Sequence, residues 1–183
     1  MKNNGIRLVV AIGIGTALFI VLSWVAIPLG FIPNTAFQTR AALLALIAGI
    51  FGPVAGVAVG FLGHALADAT QYGSIWWSWV IADGVFGLLT GLFAKKYRIE
   101  QGDFSGKKIV LFNVVQVIAN AIAWIAIAPI LDVLIYAEPA NKVFVQGIVA
   151  FAVNSIGIGI LGTLLAFAYS KIKAKTSSLE AED

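Results

Sequence analysis

The chain carries no charged residue between Arg7 and Arg40, and the first part of that gap is apolar from end to end. A helix rises 1.5 Å per residue, so about 20 apolar residues cross the ~30 Å hydrocarbon core of a bilayer. Residues 6–27, ended by Pro28, meet that length and lack the small-residue cleavage site of a signal peptide. Five further apolar stretches follow, at 39–51, 54–70, 75–94, 109–135 and 143–170. The second and third are short, and fused they would leave five spans in all. Gly52-Pro53 argues for a break between them, because proline lacks the amide donor and clashes with the preceding turn. The expectation is an all-α integral membrane protein with six transmembrane helices. They form one domain over 1–172, followed by a polar, mobile cytoplasmic tail over 173–183. Composition agrees: 60% of residues are hydrophobic before the 19 glycines are counted, and 11% are charged. A soluble domain has about 45–50% apolar residues with glycine included and about 25% charged.

The basic residues set the orientation. With the N-terminus inside, the cytoplasmic ends hold Lys2, Arg7, Lys95, Lys96, Arg98, Lys107, Lys108, Lys171, Lys173 and Lys175, leaving Arg40 and Lys142 outside. The positive-inside rule therefore puts both termini in the cytoplasm. The same distribution argues against nucleic acid as a partner, since the net charge of +3 sits at segment ends and forms no basic face. The absence of cysteine excludes disulfides, thiolate metal sites and cysteine nucleophiles. One histidine without cysteine argues against structural zinc. No cofactor is expected. There is no G-x-x-x-x-G-K-[ST] stretch, so the chain does not power transport by itself.

On this topology the polar residues gather in one leaflet. His64 and Asp68 share a helix face in the outer half of the third span, four residues apart. Trp79 and Asp83 do the same in the fourth, while Trp76 and Trp77 suit an interfacial aromatic belt. Asn120 and Trp124 approach from the fifth, Gln146 and Asn154 from the sixth. The loop between the first two spans brings Asn34, Gln38 and Arg40. Ionisable groups at depth cost roughly 2.5–3.5 kcal/mol on insertion scales, so they should face a protein-lined cavity. Aromatic walls with a few convergent polar groups suit a planar, polar small molecule. In that reading Trp79 and Trp124 stack on the ring, and Asp68 or Asp83 accepts from an amine or hydroxyl. His64 orients Asp68 or meets the ligand, and Gln38 and Tyr72 close the lid. Asn113 and Gln116 read as interhelical bonds, Asp132 and Glu138 as solvated or structural.

Small residues four apart let helices approach closely. The first helix offers two such pairs, Ala11 with Gly15 and Gly13 with Ala17. Gly56 with Gly60 and Gly87 with Gly91 repeat the spacing.

The size, the six spans and the small-residue first helix resemble the substrate-binding S component of an energy-coupling factor (ECF) transporter. "GHALADATQYGSIWWSWVIADG" and "LDVLIYAEPANKVFVQG" resemble a subgroup associated with hydroxymethylpyrimidine, a thiamine precursor, or with vitamin B6 compounds such as pyridoxine. The resemblance covers roughly residues 5–172. It implies a vitamin pocket near the outer face, capped by the first external loop. It also implies docking on a transmembrane coupling (T) subunit that carries two cytoplasmic ATPases. The first helix of such proteins bears Ala-x-x-x-Ala for that docking; here either small-residue pair fits. Two other readings compete. An intramembrane enzyme would use His64 with an aspartate as an acid–base pair, but no nucleophile motif accompanies it. A free-standing facilitator would need polar groups through both leaflets, and only Asn113 and Gln116 lie in the inner half.

Overall fold

The computed structural model describes residues 2–28, 30 and 36–179; Asn34 lies outside them. The described elements are α1 (Lys2–Ser23), strands β1 (Ala26–Pro28) and β2 (Ala36–Gln38), α2 (Thr39–Phe51), α3 (Pro53–Tyr72), α4 (Trp77–Gly91) and α5 (Ala94–Tyr97). Next come α6 (Lys107–Asn120), a π-helical stretch Ala121–Ile127 and α7 (Ala128–Tyr136), continuous with one another. Last are α8 (Ala140–Gly157), a second π-helical stretch Ile158–Gly162 and α9 (Thr163–Leu179), which carries the helix past residue 172. The protein is thus a helical membrane protein. Four helical segments are long and apolar enough to cross a bilayer: Gly5–Ser23, Pro53–Tyr72, Lys107–Tyr136 and Ala140–Thr176. α2 and α4 are shorter, at 13 and 15 residues.

One element departs from an all-helical expectation. β1 and β2 pair antiparallel, with Ala26 opposite Gln38 and Pro28 opposite Ala36. The Thr39 hydroxyl donates to the Val25 carbonyl at 3.3 Å, tying the hairpin to the start of α2.

The bundle has two chemically different ends. At one, Arg7 bonds Glu100 and its guanidinium lies 5.2 Å from the Phe51 ring. There Lys108 and Arg98 reach Asp103 at 2.5 and 2.8 Å, and hydrogen bonds from Lys108 and then Arg98 hold that carboxyl below its ordinary pKa. The Phe104 amide donates to Ser170 at 3.0 Å, fastening this loop to α9. The other end holds the hairpin, the start of α2, the end of α3 and the start of α4.

Close packing of α3 on α4 decides what happens there. Gly91 lies against Pro53, Gly56 against the Gly87 carbonyl, and a Cβ placed on Gly60 would sit 2.5 Å from the Asp83 carbonyl oxygen. Without side chains between them the two backbones touch, which draws Asp83 to within reach of His64, one turn beyond Gly60. Gly60→Ala is therefore expected to lose about 1–3 kcal/mol through overpacking. Thermal unfolding in detergent checks this, with Gly13→Ala as the control, since a Cβ at Gly13 meets nothing within 4 Å.

Candidate ligand-binding site

A small cavity with about 30 Å³ of enclosed space, opening into a wider mouth, lies at the hairpin end. Its walls come from β2 (Ala36, Gln38), α2 (Arg40, Ala41), α4 (Trp79, Asp83), the first π-helical stretch (Trp124) and α8 (Ala150, Asn154). Of the residues expected at the site, Gln38, Trp79, Asp83 and Trp124 line it together, with Arg40 and Asn154.

His64 and Asp68 stand one layer behind. Buried Arg40 donates from Nη1 to the Ser23 hydroxyl at 2.9 Å, and its Nη2 lies 3.1 Å from His64 Nε2. A guanidinium nitrogen only donates, so Nε2 accepts and the ring proton sits on Nδ1. Nδ1 lies 2.8 Å from Asp83 Oδ2, off the direction of a good hydrogen bond. Asp68 Oδ1 is 3.5 Å from Nε2, and Asp68 Oδ2 accepts the Trp76 amide at 3.0 Å. His64 thus bridges α2, α3 and α4, and its nearest carboxylate is Asp83 on the neighbouring helix. Phe19 closes the layer, its ring 4.9 Å from the Arg40 guanidinium carbon.

Tyr72 is 73% exposed at the end of α3 and lies outside the cavity lining. Asn120 is buried in α6, where its amide donates to the Gln116 carbonyl at 3.0 Å and to Gln116 Oε1 at 2.9 Å. Gln116 in turn donates to the Ser155 carbonyl at 3.1 Å, just before the second π-helical stretch. Such stretches break the regular i to i−4 ladder, and side chains such as this one satisfy backbone groups nearby. Asn113 donates to Thr163 at 3.0 Å. These amides knit α6 to the last helices.

The Trp79 wall is held by Asp132, which is structural and not solvated. Trp79 Nε1 donates to Asp132 Oδ2 at 2.8 Å, and Trp76 Nε1 donates to Oδ1 at 2.6 Å. The Ser78 hydroxyl also bonds Asp132. Asp132 is 2% exposed, and these three donors satisfy it. Its position in an apolar helix was the available signal, because a carboxylate at depth needs partners. Trp76 further stacks on Tyr136 at 4.1 Å, so it is more than a belt residue. Trp124 sits in the first π-helical stretch, 4% exposed, its ring edge-on to Trp79 at 5.4 Å. Gly147 on α8 has no side chain, and its backbone abuts the Trp124 carbonyl. In the lining, Gln38 Oε1 is buried without a hydrogen-bond partner among the described residues. The Phe37 ring packs on Gly157, where a Cβ would come within 2.8 Å. At the surface Glu138 pairs with Lys142 at 2.7 Å.

The cavity thus brings together tryptophan walls, the buried Gln38 acceptor and the buried Asp83 carboxylate. Residues 3–171 match the family model described as ECF-type riboflavin transporter, S component. The chain belongs to this ECF S-component family. An S component is a membrane-embedded, vitamin-binding subunit of a transporter and not an enzyme. S components work with a T subunit and ATPase modules. Curated relatives are similar along their whole length. A UPF0397 protein of Lactococcus lactis subsp. cremoris (strain NZ9000) is 49% identical, covering all of both chains. One from Leuconostoc citreum (strain KM20) is 54% identical over 99% of this chain and 97% of its own. One from Staphylococcus aureus (strain Newman) is 52% identical over 99% and 98%. No solved structure matches the chain.

Proposed function

We propose that this S component binds a one-ring vitamin or vitamin precursor, of the hydroxymethylpyrimidine or pyridoxine type, and passes it to an ATP-driven module. The observation that carries this reading is the lining of the cavity, two tryptophans beside a carboxylate and two amides. The enclosed space is only about 30 Å³, below the 300–1,000 Å³ usual for ligand sites, so the walls must part for any ligand and a one-ring compound demands the least movement. One aromatic ring fits against Trp79 and Trp124, with Asp83, Gln38 and Asn154 around its polar edge. Riboflavin is the second reading, favoured by the description of the family model. Its three fused rings and ribityl chain need a larger space. Titrating the purified protein with hydroxymethylpyrimidine, pyridoxine and riboflavin, followed by tryptophan fluorescence, separates the two. Saturable quenching by a one-ring compound supports the proposal; saturation by riboflavin alone overturns it.

The chain is read as six spans, with short α2 and α4 completing the bundle and the Arg7–Asp103 end facing the cytoplasm under the positive-inside rule. Partner docking is assigned to Gly13 and Ala17. Both are exposed on α1. Ala11 is buried, and a Cβ on Gly15 would meet Val59 at 3.0 Å and Ile47 at 3.5 Å, so that pair packs within the bundle. Gly13→Leu with Ala17→Leu is expected to cut co-purification of the T subunit by about tenfold or more, equivalent to at least 1.4 kcal/mol. Ligand affinity should stay unchanged. Gly15→Leu should instead lower the melting temperature of the isolated chain.

A further inference from the structure

Five buried ionisable side chains surround the cavity among the described residues: Arg40 from α2, His64 and Asp68 from α3, Asp83 from α4 and Asp132 from α7. The other elements at the cavity contribute neutral groups: Ser23 of α1, Gln38 of β2, Trp124 of the π-helical stretch and Asn154 of α8. Of the nearby tyrosines, Tyr72 is exposed, and the Tyr136 hydroxyl accepts the Trp77 amide at 2.8 Å. The group therefore holds one guanidinium against three carboxylates, of which Asp83 and Asp68 act on Arg40 directly. Counted with or without a charge on His64, the group is net negative. Asp132 has three donors and Asp68 a backbone amide. Asp83, which lines the cavity, shares the Arg40 charge with Asp68 and, among the described residues, has the off-axis contact with His64. An uncompensated charge in a low-dielectric site is costly. No trio of histidine and acidic side chains among the described residues is arranged to hold a metal ion that could supply the balance.

We propose that the ligand supplies it: the cavity takes a ring-nitrogen base as a cation, protonated at the ring and held against Asp83. This rests on the one-ring reading above. As the ligand leaves water its ring nitrogen takes a proton from solvent, and the new N–H donates to the Asp83 carboxylate; no other bond changes. A carboxylate within about 4–6 Å favours the charged form of a base by 1–3 pKa units. The Trp79 and Trp124 rings of the lining add cation–π attraction where a face meets the ligand. Gln38 Oε1 takes a second donor such as an exocyclic amine. The same imbalance disfavours a phosphorylated or carboxylated form of the vitamin, which would bring a like charge to Asp83.

The test is nitrogen NMR of hydroxymethylpyrimidine labelled with 15N in the ring and bound to the full chain. The pH is held about one unit above the free ligand's ring pKa. The expected spectrum shows the bound ring nitrogen at its protonated shift, while free ligand shows the neutral one. Asp83→Asn should return the bound signal to neutral and weaken binding about tenfold or more, one pKa unit being a factor of ten. The wild-type spectrum decides even if that variant fails to fold. A bound ligand with a neutral ring overturns the inference and leaves the one-ring reading standing, including the case where calorimetry detects proton uptake that has gone to His64. Absence of any bound pyrimidine signal, with riboflavin binding in its place, overturns both.

Discussion

Trp79→Ala is expected to weaken ligand binding by roughly 10- to 100-fold, because aromatic stacking on a heterocycle contributes about 1–3 kcal/mol. The residue is placed for that task by more than its own backbone. Its indole N–H is tied to Asp132 and its ring meets Trp124 edge-on. Asp132→Asn should therefore lose affinity several-fold although Asp132 does not line the cavity. Asparagine keeps the size but not the charge, and its amide nitrogen turns a donor towards three donors. Fluorescence titration measures the loss, and near-UV circular dichroism reports the released indoles. Trp79→Ala binding ligand as tightly as wild type would remove the stacking wall from the account.

Arg40→Met is expected to destabilise the protein by about 3–5 kcal/mol, the usual cost of leaving buried charge without its partner. Arg40 is 8% exposed and, among the described residues, is the one arginine or lysine among the buried groups at the cavity. Removing it strands Asp68 and Asp83 and frees the Ser23 hydroxyl. Adding Asp83→Asn should recover part of the loss, because one of the stranded carboxylates is then gone. Melting temperatures of the two variants in detergent check this. Equal destabilisation in single and double variants would show that Arg40 acts through packing on Phe19 instead.

The helices were legible where the chain punctuates itself. Gly52-Pro53 stops α2 at Phe51, with Gly52 at a φ of +85°, a backbone angle open to glycine. The hairpin was not legible, because two three-residue strands carry too little alternation to stand out from a loop. The paired glycines showed in the sequence, but which helix they touched did not. That is why His64 was matched to Asp68 by spacing, while its shortest contact is to Asp83 across the α3–α4 crossing. Depth brought Trp79, Asp83 and Trp124 to the same side. It could not separate residues lining the cavity from those behind it, as with His64, or from those bonded within the bundle, as with Asn120. Asp132 was visible as an oddity in an apolar run. Its partners lie more than fifty positions away, at Trp76, Ser78 and Trp79, beyond the reach of local pattern.

The most direct test of the central claim is to purify the protein without added ligand, denature it, and identify what it releases by mass spectrometry. The account predicts a one-ring compound, hydroxymethylpyrimidine or a vitamin B6 form without a phosphate. Release of riboflavin would contradict it.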